Sequence, residues 1–453
     1  MYFNKRNCVI LFQALIFAAS FTSAVYFINL RLTWIFEFQY PPTTDGFFYL
    51  QEIKYRLQNN SGYYVSFSPF FSLISIFANL LNIKDEIFIY RTLVILSLLS
   101  FSISGAIFVG SKKNIWLLLA VFQIAWISDV LFFRHYAFVK QSASISFFLL
   151  GCSIYLNIAR EKSSAKNILC LISCILIFVG VVTHLFTAAI FAGLLLFNFF
   201  AKSNLKKLNF ALGTGIAVAV YWIGTLKEKK LFEFFPHKLE LSWQTFCGNL
   251  LCYEFDYFEY YLYTGIFIYL IGSYIYRKNK DSVRLFFILG YLLLVLPIWN
   301  LESQFVYRAA FSSVWLILFA FFSQLKEDNI LDKIALITVL TLMTTVYHFS
   351  THLRVRSIYM PSEKLLEYKN LLQTWIPEDS FVLAPHTMQF KISYFLNRRS
   401  ASQIGKEKYE NTFVFSEGPP DQSQCKIISS VDEKIPAFTK CISIENRWRF
   451  YKK

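Results

Sequence analysis

The sequence predicts an all-α polytopic membrane protein that carries a small extracytoplasmic α/β domain at its C-terminal end. Hydrophobic residues make up 56% of the 453 residues and charged residues only 16%, which is more apolar surface than a soluble core can bury. Long apolar segments recur up to about residue 350. After that point shorter helical and strand-like segments alternate, as in a small α/β domain.

About eleven segments are long enough, or nearly so, to cross the hydrocarbon core of a bilayer. They are 8–30, 87–109, 115–133, 142–159, 168–183, 185–200, 208–224, 261–276, 285–299, 309–324 and 331–350. The first follows the basic residues Lys5 and Arg6 and has no small-residue cleavage site, so we interpret it as a retained span with a cytoplasmic N-terminus. The apolar segment 67–83 is shorter and contains Pro69, which favours an interfacial or re-entrant helix.

The distribution of basic residues predicts the orientation. Sixteen Lys and Arg residues fall at the inner ends of the spans, whereas the short outer loops contain only Arg134, Lys140 and Arg308. This places the first outer loop 31–86, the loop 225–260 and the tail outside the cytoplasm. We therefore predict a transmembrane domain over 1–350, which includes loop 31–86, and an extracytoplasmic domain over 351–453, in a cell inner (plasma) membrane. The net charge of +15 is dispersed among loops, which argues against nucleic-acid binding.

The predicted C-terminal domain contains two helices and several strands. The helices are EKLLEYKNLLQTW and MQFKISYFLN, and the strands are SFVLA, TFVFS, CKIIS and CISIE. The chain contains no P-loop, no paired-glycine dinucleotide fingerprint, no HExxH and no CxxC. The sequence thus gives no sign of a nucleotide or zinc site.

Four cysteines are predicted outside the cytoplasm, in two pairs. Cys247 and Cys252 share an outer loop, and Cys425 and Cys441 share the tail. An even pair in an oxidising compartment predicts a disulfide. Free buried thiols explain the first pair about equally well. They explain the second pair less well, because CKIIS and CISI have the pattern of neighbouring strands.

Polar residues gather at the predicted outer rim, whereas the middle of the spans contains almost no ionisable group. This argues against an ion-coupled transporter, which needs charges near the midplane. The rim residues are Asp45, Asp129, Arg134, His135, Lys140, His184, Glu302, Tyr307 and Arg308. Any chemistry is therefore expected at the outer interface.

Several motifs together resemble the C-type (GT-C) integral-membrane glycosyltransferases, of the bacterial type that uses polyprenyl-phosphate sugars. They are TTDGFFYLQEI in the first outer loop, YYVSFSPFFSLISIF after it, FFRHYAFVKQS after the third span, HLFTA between two spans and WIPEDSFVLAP in the tail. Two features depart from the family pattern. Lys140-Gln141 replaces the usual acidic residue after the third-span arginine, and the WWD-type motif is absent, which argues against N-glycan transfer.

The resemblance implies an inverting hexosyl- or pentosyltransferase. It would move a sugar from a polyprenyl-phosphate donor to an envelope glycan, lipid or protein, with Asp45 as the base. The leaving phosphate would need cations, for which the candidates are Arg308, Arg134, Lys140 and His184. Supporting roles fall to Glu52, Asp129, His135, Glu302 and Tyr307. No cofactor and no metal are expected, because there is no DxD pair and the outer acids are scattered.

Structural explanations for the same residues stay open. Asp45 before Gly46 could cap a helix or close a turn. Arg134 and Lys140 could be snorkelling anchors, and His184 could cap a helix end. Two other functions also stay open, an O-antigen polymerase or ligase and a non-enzymatic flippase or transporter of lipid-linked glycans. Repeated halves and broken mid-membrane helices would indicate a transporter, and one large late outer loop would indicate a polymerase or ligase.

Overall fold

A computed structural model of the chain describes residues 5–37, 40–41, 44–59, 62–64, 68–110, 115–128, 132, 135–136, 138–158, 166–184, 187, 266, 268–269, 318, 321, 331–342, 365–401, 411–417, 426–428, 434–435, 439–444 and 448–452. The chain divides into two compact units. The helical unit comprises Met1–Glu37 and Arg91–Thr351. The α/β unit comprises Phe38–Tyr90 and His352–Lys453.

Helices dominate the described part of the first 350 residues. In chain order the helices are α1 (Lys5–Glu37), α2 (Thr44–Asn59), α3 (Pro69–Leu80), α4 (Glu86–Gly110), α5 (Ile115–Ile127), α6 (Val139–Ile158), α7 (Lys166–Thr183), α8 (Lys369–Trp375) and α9 (His386–Leu396). Residues 331–342 are helical as well. The predicted spans 87–109, 142–159 and 168–183 therefore correspond to α4, α6 and α7. The predicted span 115–133 differs, because α5 already ends at Ile127.

One helix among the described residues is both long and apolar enough to cross a bilayer, namely Glu86–Ile107 within α4. Two shorter apolar helices, Pro69–Leu80 and Asn167–Thr183, fall below that length. The number of spans, about eleven, stays a prediction.

Helices α1 and α7 expose large apolar side chains along their length. Phe21 and Tyr26 of α1 are 52% and 55% exposed, and Ile168 and Leu171 of α7 are 66% and 62% exposed. A surface of this kind is unfavourable in water but is solvated by lipid chains. The packing of the helical unit therefore supports its interpretation as membrane-embedded.

Helices α6 and α7 form a closely packed antiparallel hairpin. A Cβ atom added to Gly151 would lie 2.7 Å from Ile177 Cγ1, and one added to Gly180 would lie 2.8 Å from Phe148 Cβ, so both glycines permit close backbone approach. Ser173 Oγ donates a hydrogen bond to the carbonyl of Gly151 over 2.7 Å. Small residues and hydroxyl hydrogen bonds are the usual means of holding helices together in lipid, where the hydrophobic effect does not act between them.

The α/β unit contains a six-stranded mixed sheet. Its strands are β1 (Ser380–Leu383), β2 (Arg399–Ala401), β3 (Asn411–Glu417), β4 (Lys426–Ile428), β5 (Cys441–Ile444) and β6 (Trp448–Lys452). Their order in the sheet is β2-β1-β3-β6-β5-β4, and β6 is antiparallel to both of its neighbours. The predicted pairing of CKIIS with CISI is confirmed, because β4 and β5 are parallel, with Lys426 opposite Ile442.

Residues 38–86 of the predicted outer loop 31–86 belong to the α/β unit, and residues 31–37 belong to the helical unit. Residues 38–90 group with the C-terminal segment because α2 packs along α9 through aromatic side chains. Since these two segments form one packed unit, they lie on the same side of any membrane that the chain crosses. Pro69, expected to interrupt the segment 67–83, instead begins α3, a position that suits its fixed backbone angle.

Candidate active site

The motif TTDGFF forms the start of α2. Asp45 lies in the first turn of this helix and is half-buried. The next residue, Gly46, is buried against Pro41, which precedes the helix. A Cβ atom at position 46 would lie 2.2 Å from Pro41 Cβ and 2.9 Å from Pro41 Cγ, so any side chain there would force a shift of the surrounding atoms. The same atom would lie 3.2 Å from the Tyr90 hydroxyl. The absence of a side chain at Gly46 therefore lets Pro41 pack closely against the start of the helix that carries Asp45.

Glu52, a predicted supporting residue, holds the following loop. It is fully buried, two turns of α2 beyond Asp45. The backbone amides of Tyr63 and Tyr64 donate to its carboxylate, and Arg56 Nε lies 3.4 Å from Glu52 Oε2. These contacts satisfy a buried charge, so they explain Glu52 as a loop anchor within the α/β unit.

Lys140 and His184, two predicted phosphate ligands, lie at the same end of the α6–α7 hairpin. Lys140 is in the first turn of α6, and His184 directly follows α7; both are half-buried. The register is set by Ser144, whose hydroxyl contacts the Gly180 carbonyl and lies 2.6 Å from Thr187 Oγ1. A lysine in the first turn opposes the helix dipole, so helix stability does not explain its position.

His135 lies in the stretch just before α6 and is fully buried. Its neighbours in sequence, Phe132 and Tyr136, are buried too, and their rings stack with centroids 6.2 Å apart. The structure thus makes His135 part of the packed end of the helical unit. Asp129, Arg134, Glu302, Tyr307 and Arg308 lie outside the described residues, and their roles stay predictions.

Arg31, which the sequence analysis did not single out, is a fully buried cation at the end of α1. Its Nε donates to the Trp126 carbonyl over 2.8 Å, and its Nη2 donates to the Ile127 carbonyl over 3.0 Å. The guanidinium also lies 4.5 Å from the centroid of the Phe132 ring. Arg31 therefore satisfies the last carbonyls of α5. The signal in the sequence was a single arginine between an apolar span and the aromatic stretch LTWIF.

Cys441 is disulfide-bonded. Its predicted partner Cys425 lies outside the described residues, as do Cys247 and Cys252. The parallel register that sets Lys426 opposite Ile442 supports the predicted bridge to Cys425, since each cysteine directly precedes one of these residues.

Comparisons with known proteins show a weak likeness to solved structures. No protein-family model matches the chain, and no curated protein matches it. Among solved structures, the chain is similar to the archaeal oligosaccharyltransferase AglB from Archaeoglobus fulgidus, solved in complex with an inhibitory peptide and a dolichol-phosphate. The identity is 12% and the TM-score 0.45, over 84% of this chain and 64% of the other. The match therefore spans less than two thirds of that enzyme, and at this similarity it does not establish a shared activity.

Proposed function

We propose that this chain is an inverting membrane glycosyltransferase that transfers a sugar from a polyprenyl-phosphate donor to an envelope acceptor. The observation that carries the proposal is the placement of Asp45. A half-buried carboxylate is fixed at a helix start by a glycine packed against proline, in the unit where Glu86 begins the candidate membrane-crossing helix. A general base needs this combination of fixed position and access to an acceptor.

The reaction requires one base and no general acid. The acceptor oxygen forms a bond to the anomeric carbon from the face opposite the phosphate, and the bond from that carbon to the phosphate oxygen breaks. The acceptor proton passes to the Asp45 carboxylate, and the phosphate leaves as a stable anion. The configuration at the anomeric carbon is inverted. The sugar moved is a hexose or a pentose.

The leaving phosphate needs cations at the level of the lipid headgroups. Lys140 and His184 lie at the same end of α6–α7, where their side chains would bring positive charge to an anion. Arg134 and Arg308 are proposed to complete this set. His135, Asp129, Glu302 and Tyr307 are proposed to support it.

Helix α3 supports a site at the membrane surface. One face of α3 is buried by Phe70, Phe71 and Ile74. The other side of the helix leaves Ile76 54% and Leu80 75% exposed, and α4 begins six residues after Leu80. An amphipathic helix adjoining a membrane-crossing helix is suited to lie in the interface. We accordingly propose an inner (plasma) membrane enzyme whose α/β unit faces the extracytoplasmic side.

The function is tested by comparing envelope glycans, by mass spectrometry, in cells with and without the chain. Loss of a single hexose or pentose from an envelope glycan, lipid or protein is expected when the chain is removed. Shortening by many repeat units would instead indicate a polymerase or ligase. Accumulation of an unchanged lipid-linked precursor would indicate a flippase.

The orientation is tested with single cysteines and a membrane-impermeant maleimide. Cysteines at Asp45, in 225–260 and in the tail are expected to react from outside, and cysteines at Lys112, Lys162 and Lys206 only after permeabilisation. A tail that reacts only after permeabilisation would contradict the proposed site. Opposite sidedness for position 45 and the tail would contradict the α/β unit itself.

Metal independence is a further prediction. Within the described ranges, no group of three or more His, Cys, Asp or Glu residues is arranged to hold a metal ion. We expect transfer to continue in EDTA, because the proposed mechanism stabilises the leaving phosphate with Lys, Arg and His side chains. Loss of transfer in EDTA, restored by magnesium or manganese, would overturn this prediction and make Asp129 or Glu52 a candidate ligand.

A further inference from the structure

Helix α9 of the C-terminal segment contacts aromatic residues that precede and follow Asp45 in the sequence. The Phe395 ring lies 5.1 Å from Tyr40 and 5.3 Å from Phe47, measured between centroids. The Tyr394 ring lies 5.9 Å and 5.8 Å from the same two residues. All four rings are buried. Contacts of this kind are strong and directional for their size, so they fix the backbone before and after Asp45.

Hydrogen bonds also link α9 to neighbouring segments. The Tyr394 hydroxyl donates to Glu86 Oε1 over 2.9 Å, and Ser393 Oγ lies 3.2 Å from the Tyr63 hydroxyl. Lys54 Nζ lies 5.3 Å from the centroid of the Tyr394 ring. Burial and the neighbouring Glu86 raise the pKa of the Tyr394 hydroxyl, so it stays a protonated donor. Helix α9 thus holds the start of α4, α2 and the loop at Tyr63.

Helix α9 is itself anchored to the rest of the C-terminal domain. Buried Arg398 donates to the carbonyls of Ile376, over 2.9 Å, and Leu396, over 3.1 Å. Gln373 Nε2 donates to the carbonyls of Phe395 and Leu396. Arg398 therefore joins the carboxyl ends of α8 and α9, and the chain continues directly into the sheet at β2. A helix anchored in this way is a rigid support for α2.

We propose that Tyr394 and Phe395 are positioning residues for Asp45, and that the C-terminal domain serves to hold the proposed base in place. The expected effect on sugar transfer rests on the proposed function. The packing of α9 against Tyr40 and Phe47 does not depend on it. Neither side chain needs to touch a substrate, because each acts through Tyr40 and Phe47. A base displaced by a fraction of an ångström to an ångström loses much of its effect, so this support is required for transfer.

The test measures the position of residue 45 directly, in the full chain. In an Asp45→Cys variant, the maleimide labelling rate reports how well α2 is held, after subtraction of the rate for the chain without the added cysteine. Phe395→Ala is expected to raise that rate about tenfold, because local opening becomes easier when the ring contacts are lost. Tyr394→Phe removes only the bond to Glu86 and is expected to give a smaller increase. Phe395→Leu, which keeps most of the apolar volume, is expected to restore slow labelling.

Phe415→Ala is the matched control. Phe415 is as buried as Phe395, and its ring lies 5.1 Å from Phe450 within the sheet, away from α2. It is expected to lower the unfolding temperature similarly without changing labelling at position 45. In chains that keep Asp45, Phe395→Ala is expected to reduce glycan modification per folded protein by more than Phe415→Ala does.

The outcomes separate this inference from the proposed function. Equal labelling rates in the Phe395→Ala, Tyr394→Phe and unmodified backgrounds would overturn the positioning role, whatever the activity of the protein. Equal increases for Phe395→Ala and Phe415→Ala would overturn it too, since they would indicate general loosening. Faster labelling specific to Phe395→Ala supports positioning even if Asp45 proves not to be the base.

Discussion

Replacing Asp45 with Asn is expected to lower sugar transfer by a factor on the order of 10² or more, while expression and unfolding temperature barely change. Asn has nearly the same size and keeps most of the capacity to accept hydrogen bonds at a helix start. It cannot take the acceptor proton. The measurement is the fraction of envelope glycan that is modified, per amount of folded protein in the membrane.

Asp85 provides a matched control in the same unit. Its Oδ1 accepts hydrogen bonds from the amides of Ile87, over 2.9 Å, and Phe88, over 3.1 Å, so it caps the start of α4. Asp85→Asn makes the same chemical change at a helix start whose role is structural. We expect near-normal transfer from this variant. If Asp45→Asn behaves like Asp85→Asn, then Asp45 is a cap and the catalytic proposal for this residue fails.

The sequence predicted structure correctly where the pattern lies within one short segment. The pattern of the tail predicted both of its helices and the pairing of β4 with β5, because alternating apolar residues and turn residues lie within a few positions of each other. It missed β6, although Trp448 and Phe450 are buried while Arg449 and Tyr451 are half-exposed, which is the alternation of a strand. The sequence of β6 thus has the alternation of a strand, but its two basic residues within five positions are also typical of a solvated terminus.

The sequence was not informative where two distant segments meet. Phe47 and Phe395 are separated by most of the chain, and nothing in either segment alone indicates that one packs on the other. The sequence therefore did not link residues 38–90 to the tail, although α2 shares its core with α9. Arg31 was missed for the same reason, since its partners, the carbonyls of Trp126 and Ile127, are backbone groups that leave no trace in residue type.

The residues of the candidate site were also predictable from the sequence, but most of their contacts were not. The motif TTDGFF drew attention to Asp45, and the structure adds why the glycine follows it. The charge pattern placed Lys140 and His184 at one rim, and the small residues Ser144, Gly151, Ser173 and Gly180 explain how α6 and α7 approach closely enough to bring them to one end. The Glu52 carboxylate accepts hydrogen bonds from the amides of Tyr63 and Tyr64. The residue type alone could not show whether Glu52 has this structural role or a catalytic one.

Replacing Gly46 with Ala is expected to produce the second large effect. Two contributions to the free energy of folding oppose each other in this variant. Alanine favours helix over glycine by up to about 1 kcal/mol. Against this, the added Cβ would lie 2.2 Å from Pro41 Cβ, far closer than real Cβ contacts come, and relief requires movement of Pro41 or of the helix start. Overpacking of this kind costs about 1–3 kcal/mol, so the steric term outweighs the propensity term.

The expected result of Gly46→Ala is a chain that folds, with a lower unfolding temperature, but transfers sugar more slowly by a factor on the order of 10², since a displacement near 1 Å of a reacting group has that cost. The double variant Pro41→Gly/Gly46→Ala removes the Pro41 Cβ and Cγ atoms with which the new Cβ collides. It is expected to recover part of the lost transfer relative to Gly46→Ala. Such recovery is a coupling between neighbouring sites that two independent defects would not show. Wild-type transfer by Gly46→Ala would mean that the contact with Pro41 does not set the position of Asp45.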